Sequence, residues 1–197
     1  MGIMPESILG DGLIFEEVLP VSWTPGPLAD GLILTRLNAD NHQLLGAESS
    51  LDEVRVHEAL KDESAALLHE LQRLEYKVNI LLRLTAELAL RSSGLPAAQR
   101  VRMSSQAMEW FADHHAPEGI FNDVPNGATG TVAIYINPAL PQPLKISCVV
   151  SGQRIIEETR ATQLRFVGLS DAVVDMLEKL IFRHHRRLIA GARLAAS

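Results

Sequence analysis

The chain has 197 residues, of which 47% are hydrophobic and 21% charged, so it is long and apolar enough to build a globular core and is not a disordered chain. Its formal net charge of −6 argues against a general nucleic-acid-binding surface, and DNA is therefore not an expected partner. No uninterrupted apolar stretch reaches membrane-spanning length, and we expect a cytoplasmic protein without membrane insertion. The single cysteine, Cys148, excludes an intramolecular disulfide and a cysteine-rich zinc site, and its apolar neighbours indicate a buried thiol in a strand.

The first half of the chain is predicted to contain two strands and then a long helical segment. Residues 12–23 and 31–37 have the composition of strands, and the proline and glycine cluster at residues 24–27 separates them. Ser50 is the predicted N-cap of the helical segment, because Glu53 follows three residues later as in a capping box. Residues 51–93 contain neither glycine nor proline, and the helical pattern ends at residues 94–96.

Leucines at seven-residue spacing run through this helical segment, a pattern typical of a helix that packs along a partner helix. They are Leu60, Leu67, Leu74, Leu81 and Leu88. If these leucines occupy the d positions, the a positions facing them include Leu71, Val78 and Thr85. Leucine at d with branched residues at a favours a dimer, whereas further leucines beside the seam favour a larger bundle. The repeat indicates self-association, with a helical hairpin inside one chain as the alternative.

The second half is predicted to be rich in strands and to end in a helix. Strand patterns occur at residues 100–112 (one or two strands), 132–136, 144–150, 153–159 and 163–167. Together they suggest a small antiparallel barrel. Ser170 and Asp171 cap the predicted last helix, which has an apolar stripe and ends at Gly191.

Three segments of this half resemble the PilZ family, small six-stranded barrels that serve bacteria as receptors or adaptors for cyclic di-GMP. Residues 100–113, RVRMSSQAMEWFAD, are similar to the strand-turn-strand that carries the family's D/N-x-S-x-x-G ligand motif. Residues 129–152 resemble its paired central strands, and residues 163–188 resemble its last strand, F-x-x-L-S turn and closing helix.

The resemblance implies an α+β fold: a PilZ-like six-stranded antiparallel β-barrel with a C-terminal helix, interrupted by a long helical heptad-repeat insertion that forms a coiled coil. Residues 1–38 would then be opening strands, residues 39–96 the insertion, and residues 97–197 the remainder of the barrel with its helix. An insertion of this kind resembles the atypical, tetramer-forming PilZ proteins of the xanthomonad type. That similarity favours a homotetramer, with a dimer as the second choice.

The ligand motif of the family is degenerate in this chain. When the motif serine is aligned with Ser104, Arg102 stands where the family has Asp or Asn and Ala107 where it has Gly; alignment with Ser105 does not restore the motif. The arginine pair that the family has ahead of its first strand is missing, because no Lys or Arg precedes residue 36. By location, the resemblance leaves four candidate cyclic di-GMP-binding residues: Arg100, Arg102, Ser104 and Ser105.

Two functions are compatible with these features. The first is a self-assembling tetrameric adaptor in cyclic di-GMP signalling that contacts other signalling or motility proteins and has a weak or absent dinucleotide site. The second is a genuine receptor that binds cyclic di-GMP through a non-standard site. We expect no enzyme, because no phosphate loop, nucleophile elbow or paired-carboxylate motif is present.

No metal or cofactor is expected either, apart from weakly bound cyclic di-GMP. The histidine pairs at residues 114–115 and 184–185 lack a third ligand at a characteristic spacing. Arg183 and Arg187 have the i,i+4 spacing of a solvated helix face.

Overall fold

The computed structural model describes residues 8–57, 94–111, 124–137, 140, 142–156 and 159–195, together with separate positions between residues 73 and 88. Its elements are β1 (Phe15–Pro25), α1 (Gly31–His57), β2 (Ala98–Met103), β3 (Ala107–Phe111), β4 (Thr129–Ile134), β5 (Leu144–Ile156), β6 (Thr159–Phe166) and α2 (Asp171–Ala195). The strands pair antiparallel and close a barrel in the order β1-β2-β3-β6-β5-β4. The predicted six-stranded antiparallel barrel with a C-terminal helix is confirmed.

Alternation along the strands fills the barrel interior, because successive side chains of a strand point to opposite faces. On β1, Val21 and Trp23 are buried, and on β4 the alternate residues Val132 and Ile134 are fully buried. The Trp23 indole lies over Gly130 of β4, which stands opposite Pro25 in the strand register. A Cβ atom at Gly130 of β4 would lie 2.7 Å from the indole ring of Trp23, so only a residue without a side chain fits there.

The prediction of a second strand at residues 31–37 is wrong, and so is the helix start at Ser50. The helix α1 begins at Gly31 and passes through both segments without interruption. A capping box pattern therefore lies inside an existing helix, and one strand, β1, opens the barrel. The division of the chain at residues 38 and 96 stays a prediction.

Contacts with distant parts of the chain explain why this segment is helical. The Asn38 side-chain amide donates to the carbonyl oxygen of Gly168 (2.9 Å). One turn later, Asn41 donates to the carbonyl oxygen of Lys145 (2.7 Å) and accepts a hydrogen bond from its amide nitrogen (3.0 Å). Leu45, a further turn along the same face, is 1% exposed. Helical spacing places these groups against the barrel, and the tertiary contacts override the local strand propensity.

Two further predictions about element ends are wrong. Residues 144–150 and 153–159 were expected to form separate strands, but β5 continues from Leu144 to Ile156 with a β-bulge between Val150 and Gly152. The last helix does not stop at Gly191, because α2 extends to Ala195; a helix tolerates an internal glycine at about 1 kcal/mol relative to alanine. The predicted cap is confirmed, since the Ser170 hydroxyl accepts a hydrogen bond from the Val173 amide (3.4 Å).

The described positions between residues 73 and 88 are helical. The Thr85 hydroxyl donates to the carbonyl oxygen of Leu81 (2.7 Å), a bond that spans one helical turn. The apolar side chains of the heptad pattern are 51% to 66% exposed in the single chain: Leu74, Val78, Leu81 and Leu88. Leu60, Leu67 and Leu71 lie outside the described residues, and the coiled coil stays a prediction. In the part of the chain described, no helix is both long and apolar enough to cross a membrane.

Candidate ligand site on the β2–β3 hairpin

The strands β2 and β3 form the hairpin that was expected to carry the ligand motif. The Ser104 amide donates to the carbonyl oxygen of Ala107 (2.9 Å), and the Ser104 hydroxyl accepts a hydrogen bond from the Ala107 amide (3.2 Å). In the register of the two strands, Arg102 stands opposite Glu109. The Ser104 hydroxyl is therefore used to close the turn, and Arg102 faces a carboxylate of its own hairpin.

Glu109 is the centre of a buried polar network on the outer side of the barrel. Its neighbours Met108 and Trp110 point into the core, so alternation turns the Glu109 side chain outward, yet it is 0% exposed. Arg154 Nε lies 2.9 Å from Glu109 Oε1, and the Gln163 amide donates to the same oxygen (3.1 Å).

The second carboxylate oxygen of Glu109 is engaged as well. Arg102 Nη1 donates to Glu109 Oε2 at 3.3 Å, and Arg154 Nη2 donates to it at the same distance. A carboxylate that is buried away from solvent is tolerated in a protein only when it is paired with a cation and hydrogen-bonded. Two guanidinium groups and one amide meet that requirement for Glu109.

A second carboxylate, Glu16 of β1, holds the other candidate arginine. Arg100 lies 2.6 Å from Glu16 Oε1 through Nη2 and donates to the same oxygen through Nε at 2.7 Å. Arg102 Nε approaches Glu16 Oε2 at 3.4 Å. The Arg100 guanidinium also lies 4.7 Å from the centre of the Phe111 ring.

This arrangement decides what the two arginines can do chemically. Both are bound to carboxylates of β1 and β3, so a phosphate group would have to compete with Glu16 or Glu109 for the donors that those carboxylates engage. Glu16 is 41% exposed, whereas Glu109 is 0% exposed. Displacing Glu109 would leave a buried charge with fewer partners, which is strongly unfavourable.

Ser105, the fourth candidate residue, belongs to a different surface. Its hydroxyl donates to Glu178 Oε1 of α2 at 3.1 Å. Both residues line a cavity of about 500 Å³ between the segment 8–13, the turn of the hairpin and α2, to which Ile181 and Phe182 contribute. The four candidates therefore split into an arginine pair on the outer side of the barrel and a serine pair at the hairpin turn, where Ser104 also lines the cavity.

Sequence reasoning did not identify the partners of the arginines. Glu16, Glu109, Arg154 and Gln163 were absent from the predicted site. A signal for Glu109 exists, because a charged residue between Met108 and Trp110 in an apolar strand demands a buried counter-ion. Nothing local in the sequence indicates that Arg154 supplies it.

Cys148 and His184 are two further titratable groups that are buried in or against the barrel. Burial raises the pKa of the Cys148 thiol from its usual 9.0 to about 12, and the predicted buried strand thiol is confirmed. His184 packs against Phe15, with ring centres 4.3 Å apart, and its Nε2 lies 3.2 Å from the carbonyl oxygen of Glu16. Among the residues that the structure describes, no group of three His, Cys, Asp or Glu side chains could hold a metal ion. The pair at residues 114–115 lies outside the described residues.

The interpretation of Arg183 as part of a solvated face is wrong. Its Nη2 lies 2.7 Å from Glu48 Oε2, and its Nη1 donates to the Ser49 hydroxyl (2.6 Å). The Glu48 side chain is 7% exposed, and Arg187 approaches its other oxygen at 3.9 Å. These contacts join α2 to α1 at the point where α1 leaves the barrel.

Comparison with known proteins agrees with this architecture. The model of a family described as atypical PilZ domain, cyclic di-GMP receptor, matches residues 45–194. A solved structure from Xanthomonas campestris, a tetrameric PilZ domain self-assembled through an unusual helical bundle, is similar with 25% sequence identity and a TM-score of 0.70, covering 92% of each chain. The inhibitor of motility of Bacillus subtilis matches at 12% identity and a TM-score of 0.36, over 46% of this chain and 42% of that one. No curated protein matches. Because the family model spans well over half of the sequence, the chain belongs to the atypical PilZ domain family of cyclic di-GMP receptors.

Proposed function

We propose that this protein is a self-assembling, homotetrameric adaptor of cyclic di-GMP signalling whose own dinucleotide site is weak or absent. The observation that carries the proposal is the pairing of Arg100 and Arg102 with Glu16 and Glu109. These arginines are the cationic residues of the hairpin where the family motif is expected, and carboxylates already compensate their charge and engage part of their donors.

The missing arginine pair weakens a dinucleotide site further. A charge-assisted hydrogen bond contributes roughly 1.5 to 3 kcal/mol. The absence of two guanidinium groups ahead of β1 therefore lowers the affinity by several orders of magnitude relative to a receptor that has them.

Self-assembly is supported by the exposed heptad side chains. Leu74, Val78, Leu81 and Leu88 repeat along a helical segment and are at least half exposed in one chain. Burying each such leucine against other copies contributes roughly 1.5 to 3 kcal/mol. The similar Xanthomonas campestris protein is tetrameric through a helical bundle, which favours four chains over two here.

Calorimetric titration of the purified protein with cyclic di-GMP tests the ligand part of the proposal. We expect no measurable heat of binding at micromolar dinucleotide. A dissociation constant below about 1 μM, which corresponds to about 8 kcal/mol, would overturn the proposal. In that event Arg102→Ala should abolish binding, and unchanged affinity in Arg102→Ala would place the site elsewhere on the protein.

The alternative, a genuine receptor with a non-standard site, is favoured by one feature of the outer surface. Arg100 lies beside Phe111 and is paired with a carboxylate that is 41% exposed, so a phosphate could displace Glu16 while a base stacks nearby. Glu16→Gln distinguishes the two functions. It should strengthen binding of cyclic di-GMP if the protein is a receptor of this kind and should leave binding undetectable if it is an adaptor.

A further inference from the structure

We propose that the cavity between the segment 8–13, the hairpin turn and α2, called here the α2 groove, docks a partner-protein segment that presents a lysine or arginine next to a large apolar side chain. The inference rests on the adaptor part of the proposed function and supplies the chemical class of its partner. The α2 groove has a volume of about 500 Å³, within the range of concave binding sites.

The walls of the α2 groove expose large apolar side chains toward the same space. Phe182 of α2 is 52% exposed, and Leu13 on the opposite wall is 44% exposed. Ile181 and Leu9 form part of the floor and are buried. Half-exposed aromatic and aliphatic groups that face one cavity favour an apolar anchor, because covering them removes apolar surface from water.

The polar lining determines the charge of the occupant. Glu178 is the charged residue among the lining side chains, and the Ser105 hydroxyl holds one of its carboxylate oxygens at 3.1 Å. With the Glu178 carboxylate and no lysine or arginine in its described lining, the α2 groove favours a cation beside the apolar anchor.

The residues along α2 also give the occupant a direction. Glu178, Phe182 and Arg186 follow one another at four-residue spacing and therefore share one face of the helix. The Arg186 guanidinium lies 5.9 Å from the centre of the Phe182 ring. The occupant should present its cation at the Glu178 end, its apolar anchor at Phe182 and an acidic or neutral residue at the Arg186 end.

A peptide selection against the full chain tests the inference. A phage-displayed library of random peptides is selected on the immobilised protein, and enriched sequences are synthesised and titrated by fluorescence polarisation. We expect enriched peptides with a large apolar residue beside lysine or arginine. Phe182→Ala should weaken their binding roughly thirtyfold, as for an interface hot spot. Glu178→Gln should weaken it about twofold to fivefold, as for an exposed ion pair.

The matched control is Ile155→Thr, which removes apolar surface from a side chain that is 70% exposed on β5, outside the lining of the α2 groove. It should leave peptide binding unchanged. If Phe182→Ala fails to fold, Leu13→Ser probes the opposite wall in its place. The inference is overturned if no sequence is enriched, if enriched peptides lack the cation and the apolar anchor, or if they bind Phe182→Ala as tightly as the wild type.

Light scattering and cyclic di-GMP titration on the same preparations separate this inference from the proposed function. If the protein is a tetramer that does not bind cyclic di-GMP but no peptide is enriched on it, the inference about the α2 groove is wrong and the proposed function stands. If peptides are enriched but the protein is a monomer or binds cyclic di-GMP tightly, the proposed function is wrong and the inference that the α2 groove docks a peptide stands. Concentration-dependent association beyond the tetramer that Phe182→Ala abolishes would make a second copy of this chain the occupant, against the inference.

Discussion

The barrel buries its apolar side chains, whereas the helical segment between residues 73 and 88 exposes those of its heptad pattern. In the barrel, Trp110 and Met108 are 0% exposed, and the strands close on themselves without an edge. In the helical segment, Leu81 and Leu88 are 63% and 66% exposed. A barrel completes its core within one chain, whereas a heptad face of this kind needs partner helices. The barrel is thus complete within a single chain, whereas the helical segment would be completed by the assembly that we propose.

The helix α1 is fixed by contacts to the barrel and to α2. Asn41 and Leu45 attach it to the barrel, and Glu48 attaches it to α2 through Arg183 before it continues to His57. A buried carboxylate that is bound to a guanidinium holds two helices at a defined angle more strictly than apolar contacts alone. These contacts fix α1 relative to the barrel and to α2, and the comparison between the barrel and the helical segment can be tested by changing one region at a time.

The largest effect is expected from Leu74→Asp. Leu74 lies in the heptad face, so every copy of the substitution would place a carboxylate in the apolar interior of the bundle. Burying an unpaired charge is unfavourable by several kcal/mol per ion, more than the roughly 1.5 to 3 kcal/mol that each leucine contributes. Light scattering should show a monomer in place of the tetramer, while circular dichroism should retain its β-type signal.

Tyr76→Asp is the matched control for Leu74→Asp. Tyr76 is 67% exposed, and in the heptad alignment it occupies an f position, outside the seam. The same new charge two residues away should leave the mass of the assembly unchanged. If Leu74→Asp itself keeps the wild-type mass, the heptad face packs within one chain and the tetramer must be abandoned.

Inside the barrel, Glu109→Gln should give the next largest effect. The amide removes the negative charge between Arg102 and Arg154, and removing one partner of a buried pair is unfavourable by about 3 to 5 kcal/mol. Urea unfolding should show this loss without any change in oligomer mass. Asp175→Asn is the control, because its ion pair with Lys179 is exposed and should contribute less than about 1 kcal/mol. Equal losses in the two variants would mean that burial does not strengthen the Glu109 network.

Local patterns predicted the barrel better than they predicted α1. The alternation at residues 132–136 reports a half-buried strand directly, and β4 follows from it. Residues 31–37 have the same apolar character, but their conformation is decided by bonds from Asn38 to Gly168 and from Asn41 to Lys145. Such contacts join positions more than a hundred residues apart, and no local pattern contains them.

The hairpin that carries the candidate residues was predictable from the sequence, but the partners of its arginines were not. The hairpin and its turn at Ser104 follow from strand signals and from the family resemblance. Whether Arg102 is available to a phosphate depends on Glu109 across the hairpin and on Glu16 of β1. Those pairings depend on strand register, which the closure of the barrel decides and which a single sequence does not display.

A smaller change in the barrel should come from Gly130→Ala. A Cβ at this position would clash with the Thr24 carbonyl oxygen and would lie 2.7 Å from the Trp23 ring, so both the β1 backbone and the indole must shift within a packed core. Overpacking of this kind lowers the free energy of unfolding by about 2 kcal/mol. Gly26→Ala is the matched control, because a Cβ there has no atom within 4 Å, and its stability should stay within about 0.5 kcal/mol of the wild type. An unaltered midpoint for Gly130→Ala would show that the β1 backbone at Thr24 and the Trp23 ring both shift without loss of stability.

The smallest expected effect is a pH dependence of the free energy of unfolding, which reports whether solvent reaches the barrel interior. Burial raises the pKa of Cys148 from 9.0 to about 12, so between these values the folded chain keeps a proton that the unfolded chain releases. The thiol therefore leaves stability unchanged below pH 9, and stability falls above it with a slope that approaches 1.4 kcal/mol per pH unit, which amounts to about 1.4 kcal/mol at pH 10. Urea unfolding of the wild type and of Cys148→Ala between pH 8 and 10 isolates this contribution, because every other titrating group is common to both. If the difference in the free energy of unfolding between the two proteins does not change with pH, water reaches the Cys148 thiol and the barrel interior is not closed to solvent.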